Sequence, residues 1–179
     1  MKRRLRRALD RVSALVGRVL IEVVARRHPG GIVTVLDVDN TIADAWPSFL
    51  RSWPGEAARL RALRPLPGMR AAAYEPAPGS VVFLSHRSWW FWPLTRTWLS
   101  AAGFEGPVVL VADPAEKVAH LRRLAARHPV VYWDDLTAHQ ETGHPVRYDE
   151  VIEAVGAIDG VEYHGADEIE AIVAAAGGR

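Results

Sequence analysis

The stretch that decides the fold is IVTVLDVDNT, which occupies residues 32–41. Its first five residues are β-branched or aliphatic and do not alternate with charged residues, which is typical of a strand that is buried on both faces. Two carboxylates, Asp37 and Asp39, follow at the point where this strand ends. The sequence therefore predicts a core strand that delivers acidic side chains at its carboxyl end.

Four further apolar runs repeat this character along the chain. They predict strands over residues 81–84, 108–111, 130–133 and 161–163. Helical stretches lie between and after them, over residues 93–102, 114–127, 148–155 and 167–175. Strands that alternate with helices predict an α/β fold with a mainly parallel sheet covered on both sides. The length of 179 residues suits one such domain, which we place at residues 29–179.

Residues 1–28 predict a basic amphipathic helix that precedes this domain. Apolar residues recur there at steps of three and four, namely Leu5, Ala8, Leu9, Val12, Leu15, Val16, Val19, Leu20, Val23 and Val24. The segment holds nine Lys and Arg residues against two acidic ones, whereas the rest of the chain carries a net charge of −6. Such a helix packs on its own domain, pairs with a second copy in a homodimer, or docks on an anionic membrane surface. Contact with nucleic acid is a further alternative.

Two absences from the sequence narrow the class of protein. The chain contains no cysteine, which excludes disulfides, thiolate metal sites and a cysteine nucleophile. No uncharged run approaches the ~20 residues of a membrane span, which argues against an integral membrane protein. We therefore expect a cytoplasmic protein, peripheral at the membrane if the N-terminal helix docks there.

Polar and charged side chains collect where the predicted strands end. They are Asp37 and Asp39 after the first strand, Ser85 and Arg87 after the second, Asp134 and Asp135 after the fourth, and Lys117 in the helix before the fourth. Open parallel sheets bind ligands at the carboxyl ends of their strands, so one crevice should contain them all. Clustered carboxylates repel one another unless a cation holds them, and oxygen ligands without cysteine favour Mg²⁺. Taken singly, each residue also suits a plainer role as a helix cap or a solvated charge.

The segment DVDNT, residues 37–41, resembles motif I (DxDxT) of the haloacid dehalogenase-like phosphohydrolases. Ser85, Lys117 and the pair Asp134-Asp135 are similar to motifs II, III and IV of that superfamily, in the same order, over residues 32–140. The resemblance implies a Rossmann-like three-layer sandwich of the haloacid dehalogenase type. It also implies an enzyme, a phosphatase that hydrolyses a phosphomonoester through an aspartyl-phosphate.

The resemblance further implies roles for the individual residues. Asp37 is the implied nucleophile, and Asp39 is the implied general acid and base. Ser85 and Lys117 are implied to bind phosphoryl oxygens. Thr41 is implied to steady the motif I loop, and we group it with the phosphate-binding residues.

The metal site is likewise implied by the resemblance. Mg²⁺ would be held by Asp37, the Asp39 carbonyl and Asp134. Asp135 would either contact the ion directly or lie just behind the residues that do. A second acid at position 39 favours the phosphatases over the dehalogenase branch, whose pattern lacks it.

The space between motifs I and II bears on the substrate. Only 43 residues separate Thr41 from Ser85, so the resemblance implies a capless or minimally capped member. Such members act on bulky substrates, here a nucleotide or polynucleotide end, a lipid phosphate or a phosphoprotein, and nucleic acid enters only as a substrate. Two alternatives stay open: a phosphotransferase that uses an acceptor other than water, and a non-catalytic phosphate-binding or adaptor module.

Three residues after the second strand are candidate substrate contacts. Arg87 suits contact with a substrate phosphate or carboxylate, or an ion pair with Asp44 or Asp135. Trp89 and Trp90 belong to the run WWFW, which cannot all face inward on a helix or a strand. One or two of these rings would rim the crevice and stack on a base or cover an apolar chain. Packing in the core is the competing interpretation for each of them.

Overall fold

The computed structural model describes residues 2–27, 31–76, 80–138 and 142–177. Its strands are β1 (Val33–Leu36), β2 (Val81–Ser85), β3 (Val108–Leu110), β4 (Val130–Trp133), β5 (Thr137–Ala138), β6 (Val146–Arg147) and β7 (Val161–His164). Five of them form a parallel sheet in the order β3-β2-β1-β4-β7, and β5 and β6 form a separate antiparallel pair. The predicted α/β class with a mainly parallel sheet is confirmed.

Strand β1 lies in the middle of the sheet, with β2 on one side and β4 on the other. The chain runs outward from β1 through β2 to β3 and then returns to place β4 and β7 on the opposite side. In this register Leu36 at the end of β1 lies beside both Phe83 and Trp133. The reversal of strand order opens a crevice beyond the carboxyl ends of β1 and β4, which is where open parallel sheets bind ligands.

Helices cover both faces of the sheet. They are α1 (Lys2–Arg27), α2 (Trp46–Phe49), α3 (Glu56–Arg61), α4 (Trp92–Ala101), α5 (Ala115–Ala125), α6 (Asp149–Gly156) and α7 (Ala166–Ala175), with a π-helical turn at Arg70–Tyr74 and a 3₁₀ turn at Trp89–Phe91. Helices α1, α5 and α6 pack on one face, and α3, α4 and α7 pack on the other. The domain therefore has three layers.

The alternation of side chains along the central strands divides the core into two clusters. Val33 and Val35 of β1 pack in the cluster that includes α1, α5 and α6. Leu36, Phe83 and Trp133 pack in the cluster on the opposite face. Full burial of each aliphatic side chain contributes about 1.5–3 kcal/mol, so both layers stabilise the central strand. This is why β1 carries no polar alternation.

Short helical segments make up the connection from β1 to β2. It holds the short helices α2 and α3 and the π-helical turn. Pro47 lies in the first turn of α2, and Gly55, which precedes α3, has a φ of 158°. Elsewhere the element ends shift by one or two residues: Ile32, expected to begin β1, lies outside the strand and is 53% exposed.

The inner face of α1 packs against the sheet and α5. Ile21 is fully buried, and Val24 and Ala25 join it in the core. His128 adds a hydrogen-bonding contact between its Nε2 and the Ala25 carbonyl at 2.8 Å. The expected boundary between residues 28 and 29 lies outside the described residues. Within the part of the chain that the structure describes, no helix has the length and hydropathy needed to cross a membrane.

The contact at Gly17 gives a test of this packing. A methyl group at Gly17 would come within 2.9 Å of Cγ1 of Val109 in β3. We expect Gly17→Ala to lower the free energy of unfolding by about 1–3 kcal/mol, because it overpacks the core. In an open helix the same change raises stability by up to about 1 kcal/mol. Gly156→Ala, which meets nothing within 4 Å, is the matched control and should be neutral or stabilising. Urea unfolding of both variants measures the difference, and a stabilised Gly17→Ala protein would contradict the docking of α1.

Candidate active site

A cavity of about 500 Å³ opens at the carboxyl edge of the sheet, at the point where the strand order reverses. Seven of the residues expected at the site line it: Asp37, Asp39, Ser85, Arg87, Lys117, Asp134 and Asp135. They come from four separate segments of the chain, as their positions after strand ends and in α5 predict. The fold therefore brings these side chains into one crevice.

The loop after β1 is shaped by its own backbone. Asn40 has a φ of 56°, in the left-handed region that asparagine tolerates better than most residues. Its Oδ1 accepts a hydrogen bond from the Trp46 backbone N–H at 2.7 Å, which fixes the turn. Thr41, which we grouped with the phosphate-binding residues, is fully buried, and its Oγ1 accepts the Asp135 N–H at 3.2 Å. The threonine thus joins the two acidic loops from behind and is not among the residues that line the cavity.

Three buried carboxylates form a cluster at the base of the crevice. One oxygen each of Asp37, Asp134 and Asp135 lies within 4.8 Å of the others. The Lys117 ammonium donates to Asp37 Oδ1 at 2.9 Å and to Asp134 Oδ2 at 2.5 Å. One cation therefore faces three carboxylates among these groups.

Burial governs the protonation of this cluster. Burial, with the charge of Asp134, raises the pKa of Asp37 to about 7 even though Lys117 opposes the rise. Burial and Asp134 also raise the pKa of Asp135 well above its usual range. Although burial lowers the pKa of Lys117, the two carboxylates that it contacts raise it above the ordinary value. The lysine stays charged, and the raised pKa values of Asp37 and Asp135 reflect the cost of ionising three buried carboxylates together, a cost that a further cation would lower.

Other polar groups hold the acidic pair in place. Asp134 Oδ1 accepts the Leu136 N–H at 2.9 Å, and its Oδ2 accepts a hydrogen bond from the Tyr132 hydroxyl. The Thr137 hydroxyl donates a hydrogen bond to Asp135. Tyr132 was not singled out from the sequence; its place on β4, two residues before Asp134 and therefore on the same side of the strand, is the signal that points to it.

Asp39 has a different partner from the cluster. Arg87 Nε donates to Asp39 Oδ2 at 2.6 Å and Nη2 donates to Oδ1 at 2.8 Å, while Nη1 reaches the Thr95 hydroxyl at 3.1 Å. Arg87 therefore pairs with Asp39 rather than with Asp44 or Asp135, the partners expected from the sequence. Although burial raises the pKa of Asp39, the guanidinium holds it below its usual value. The bidentate contact keeps this carboxylate ionised and fixes its orientation.

Ser85 supplies a polar atom that the described residues leave unsatisfied. Its hydroxyl oxygen is buried at the end of β2 and has no hydrogen-bond partner among them. Buried polar atoms normally have partners, so an orphaned hydroxyl at a cavity wall indicates a place for a polar ligand atom. Ser85 lies in the same crevice as Asp37 and Lys117.

The mouth of the crevice includes residues that the sequence did not single out. Arg59 of α3 lines it, held by Glu56 through contacts of 2.8 and 2.5 Å and stacked over the Phe49 ring at 4.0 Å. The sequence signal that could have identified Arg59 is its spacing from Glu56, because an acid and a base three residues apart on a helix can pair. From the run WWFW, Phe91 lines the cavity and neither Trp89 nor Trp90 is among the described lining residues. Trp90 is exposed, and Trp89 packs on Trp92 with ring centroids 5.9 Å apart.

The donor set fits a divalent cation of the kind that prefers oxygen ligands. Asp37, Asp134 and Asp135 offer carboxylate oxygens close enough to share one ion, and the loops that carry them are anchored by hydrogen bonds. Such oxygen sites suit Mg²⁺, Ca²⁺ or Mn²⁺ better than softer metals.

No protein-family model, curated protein or solved structure matches the chain.

The buried ammonium can be tested through stability. We expect Lys117→Gln to lower the free energy of unfolding by about 3–5 kcal/mol in metal-free buffer at neutral pH, because it leaves Asp37 and Asp134 buried without their counter-charge. Arg122→Gln, an exposed change on the same helix, should shift it by less than about 0.5 kcal/mol. Urea unfolding compares the two. Equal stabilities would show that the ammonium does not hold the cluster together.

Proposed function

We propose that this protein is a Mg²⁺-dependent phosphohydrolase that cleaves a phosphomonoester through an aspartyl-phosphate on Asp37. The observation that carries the proposal is the juxtaposition, in one buried crevice, of Asp37, the Lys117 ammonium and the unpartnered Ser85 hydroxyl. A carboxylate, a cation and a free hydroxyl are the groups that attack and hold a phosphoryl group. The motifs that resemble those of haloacid dehalogenase-like phosphohydrolases agree with this assignment.

Binding of the phosphoryl group follows from the groups at the base of the crevice. The Lys117 ammonium and the Ser85 hydroxyl donate to its oxygens, and the ammonium offsets part of its charge. Mg²⁺ held by Asp37, Asp134 and Asp135 would neutralise the remaining negative charge and lower the repulsion between the phosphate and the carboxylates. The anchored loops keep the nucleophilic oxygen in a fixed direction, which limits the entropy lost on reaction.

In the first chemical step a carboxylate oxygen of Asp37 attacks the phosphorus, and the bond from phosphorus to the leaving oxygen breaks. The leaving oxygen takes a proton from Asp39, which is ionised while Arg87 holds it and therefore first takes up a proton from solvent when that contact opens. In the second step Asp39 accepts a proton from water, whose oxygen attacks the phosphorus, and the carboxylate of Asp37 is released with inorganic phosphate. The two steps together return Asp37 as a carboxylate and Asp39 in the protonated form that donated to the leaving oxygen.

The Arg87 contact sets a condition on the role of Asp39. Both oxygens of Asp39 accept hydrogen bonds from the guanidinium, so neither is free to exchange a proton with a substrate. The proposal therefore requires one of these bonds to open when the substrate enters. A substrate phosphate competes with Asp39 for the guanidinium, since arginine binds phosphate and carboxylate in the same bidentate manner.

The short connection between β1 and β2 supports a bulky substrate. Helices α2 and α3 contribute Phe49, Glu56 and Arg59 to the mouth of the crevice but are only four and six residues long. An open mouth suits a nucleotide or polynucleotide end, a lipid phosphate or a phosphoprotein. The same residues would serve phosphotransfer to an acceptor other than water. The buried, hydrogen-bonded acidic groups argue against a purely non-catalytic module.

Loss of the nucleophile tests the proposal most directly. We expect Asp37→Asn to abolish hydrolysis of a panel of phosphomonoesters in the presence of Mg²⁺, because the neutral amide cannot form the acyl phosphate. The wild-type protein should lose activity in EDTA and regain it with Mg²⁺. Asp159→Asn, which changes an exposed carboxylate away from the crevice, should keep the wild-type rate. Undiminished turnover by Asp37→Asn, or full activity in metal-free buffer, would refute the mechanism.

The role of Asp39 predicts a dependence on the leaving group. We expect Asp39→Asn to lower kcat for alkyl phosphates by about 10²–10⁴, the usual contribution of general acid catalysis. The loss should be smaller for p-nitrophenyl phosphate in its first step, because that leaving group departs without a proton. Pre-steady-state release of p-nitrophenol separates this step from hydrolysis of the acyl phosphate. Equal losses of the first-step rate with both substrates would show that Asp39 does not act as the acid.

A further inference from the structure

Helix α1 has a second apolar face that the domain does not use. Leu15, Val19 and Val23 are 61%, 54% and 37% exposed and recur at four-residue steps along one side of the helix. The residues that pack inward, among them Ile21 and Val24, lie on the other side. One face of α1 therefore anchors the helix to its domain, while the exposed face, which comprises Leu15, Val19 and Val23, has no covering element among the described residues.

The sequence continues the same apolar spacing toward the N-terminus. Leu5, Ala8 and Val12 precede Leu15 at steps of three and four residues, which are the spacings of one side of a helix. The backbone of α1 is helical from Lys2 to Arg27. At 1.5 Å per residue the helix is about 39 Å long, so the apolar spacing continues for most of its length.

The charges beside this face are almost all positive. Arg18 and Arg26 are exposed next to the apolar row. Glu22 lies 3.0 Å from Arg127 and 3.9 Å from Arg26, so the acidic group is already paired with basic ones. Residues 2–27 contain nine Lys and Arg residues against Asp10 and Glu22. An occupant of this face must therefore be both apolar and negatively charged.

A second copy of the same helix does not meet that requirement. Arg18 is exposed on one flank of the apolar row. Two copies that paired antiparallel through this row would bring their Arg18 flanks together, with only two acidic residues in each helix to offset the basic charge. Like charges beside a helical interface oppose pairing. The charge of α1 thus disfavours a homodimer at this face.

We propose that the exposed face of α1 docks on an anionic lipid surface, with the helix axis in the plane of the interface. A basic amphipathic helix binds such a surface through its apolar area and through attraction of its Lys and Arg residues to acidic headgroups. The inner face keeps its contacts with the sheet and α5, so docking does not require α1 to leave the domain. The inference is independent of the chemistry in the crevice.

Sedimentation of the full-length protein with vesicles tests the docking. We expect binding to vesicles that contain phosphatidylglycerol and little binding to vesicles of phosphatidylcholine alone. The triple change Leu15→Ser, Val19→Ser and Val23→Ser should abolish it. The matched control replaces Ile32, Leu50 and Val146 with Ser, because these residues are similarly exposed elsewhere on the protein. Loss of binding in both triple variants, or in neither, would overturn the assignment of the face.

The electrostatic part of the docking has its own signature. Arg18→Gln and Arg26→Gln should each weaken the partition coefficient about fivefold, and added salt should weaken binding of the wild-type protein. Light scattering without lipid tests whether a second copy of the protein covers this face instead. We expect it to give the mass of a monomer. A dimer that the Leu15, Val19 and Val23 changes dissociate would overturn the proposal in favour of a second copy. Equal binding to neutral and anionic vesicles, or none to either, would also overturn it.

Discussion

The site depends on one buried cation, the Lys117 ammonium between Asp37 and Asp134. An ion that has lost its hydration needs opposite charge at hydrogen-bond distance, and Lys117 finds it at 2.9 and 2.5 Å. The sheet supplies both partners because β1 and β4 are adjacent and Leu36 is in register with Trp133. Asp37 and Asp134 are therefore the first residues after β1 and β4. The ion pair thereby ties α5 to the two strands at which the chain reverses its direction across the sheet.

Two acidic side chains in the loop after β1 have opposite electrostatic environments. Asp37 lies against the buried cluster, where burial and Asp134 raise its pKa to about 7 against the effect of Lys117. Asp39 pairs with Arg87, which lowers its pKa although burial acts to raise it. A spacing of two residues gives each carboxylate its own cation, one from α5 and one from the segment after β2. Environments that separate neighbouring carboxyl groups in this way are those in which acids and bases take distinct roles.

The fold and the position of the crevice could be predicted because both depend on local patterns. Runs of β-branched residues indicate strands buried on both faces, and polar residues that directly follow parallel strands must meet at one edge. The partner of Arg87 could not be predicted, since several carboxylates were expected near the same edge and only side-chain geometry separates them. The orientation of α1 also depends on long-range packing. Valines occur on both of its faces: Val24 is buried and Val19 is exposed. Nothing in the sequence distinguishes the two.

Helix α5 connects the crevice with the N-terminal helix. Lys117 and His120 lie about one turn apart on it: the lysine reaches the buried carboxylates, and the imidazole lies beside Gly17 of α1. Burial, with the nearby charges of Arg123 and Arg18, lowers the pKa of His120 to about 4. The imidazole is therefore neutral near pH 7 and adds no positive charge to a helix contact that Arg18 already borders. Because this contact is uncharged, α1 packs there through its small and apolar inner residues, and Arg18 and Arg26 stay exposed on the outer side.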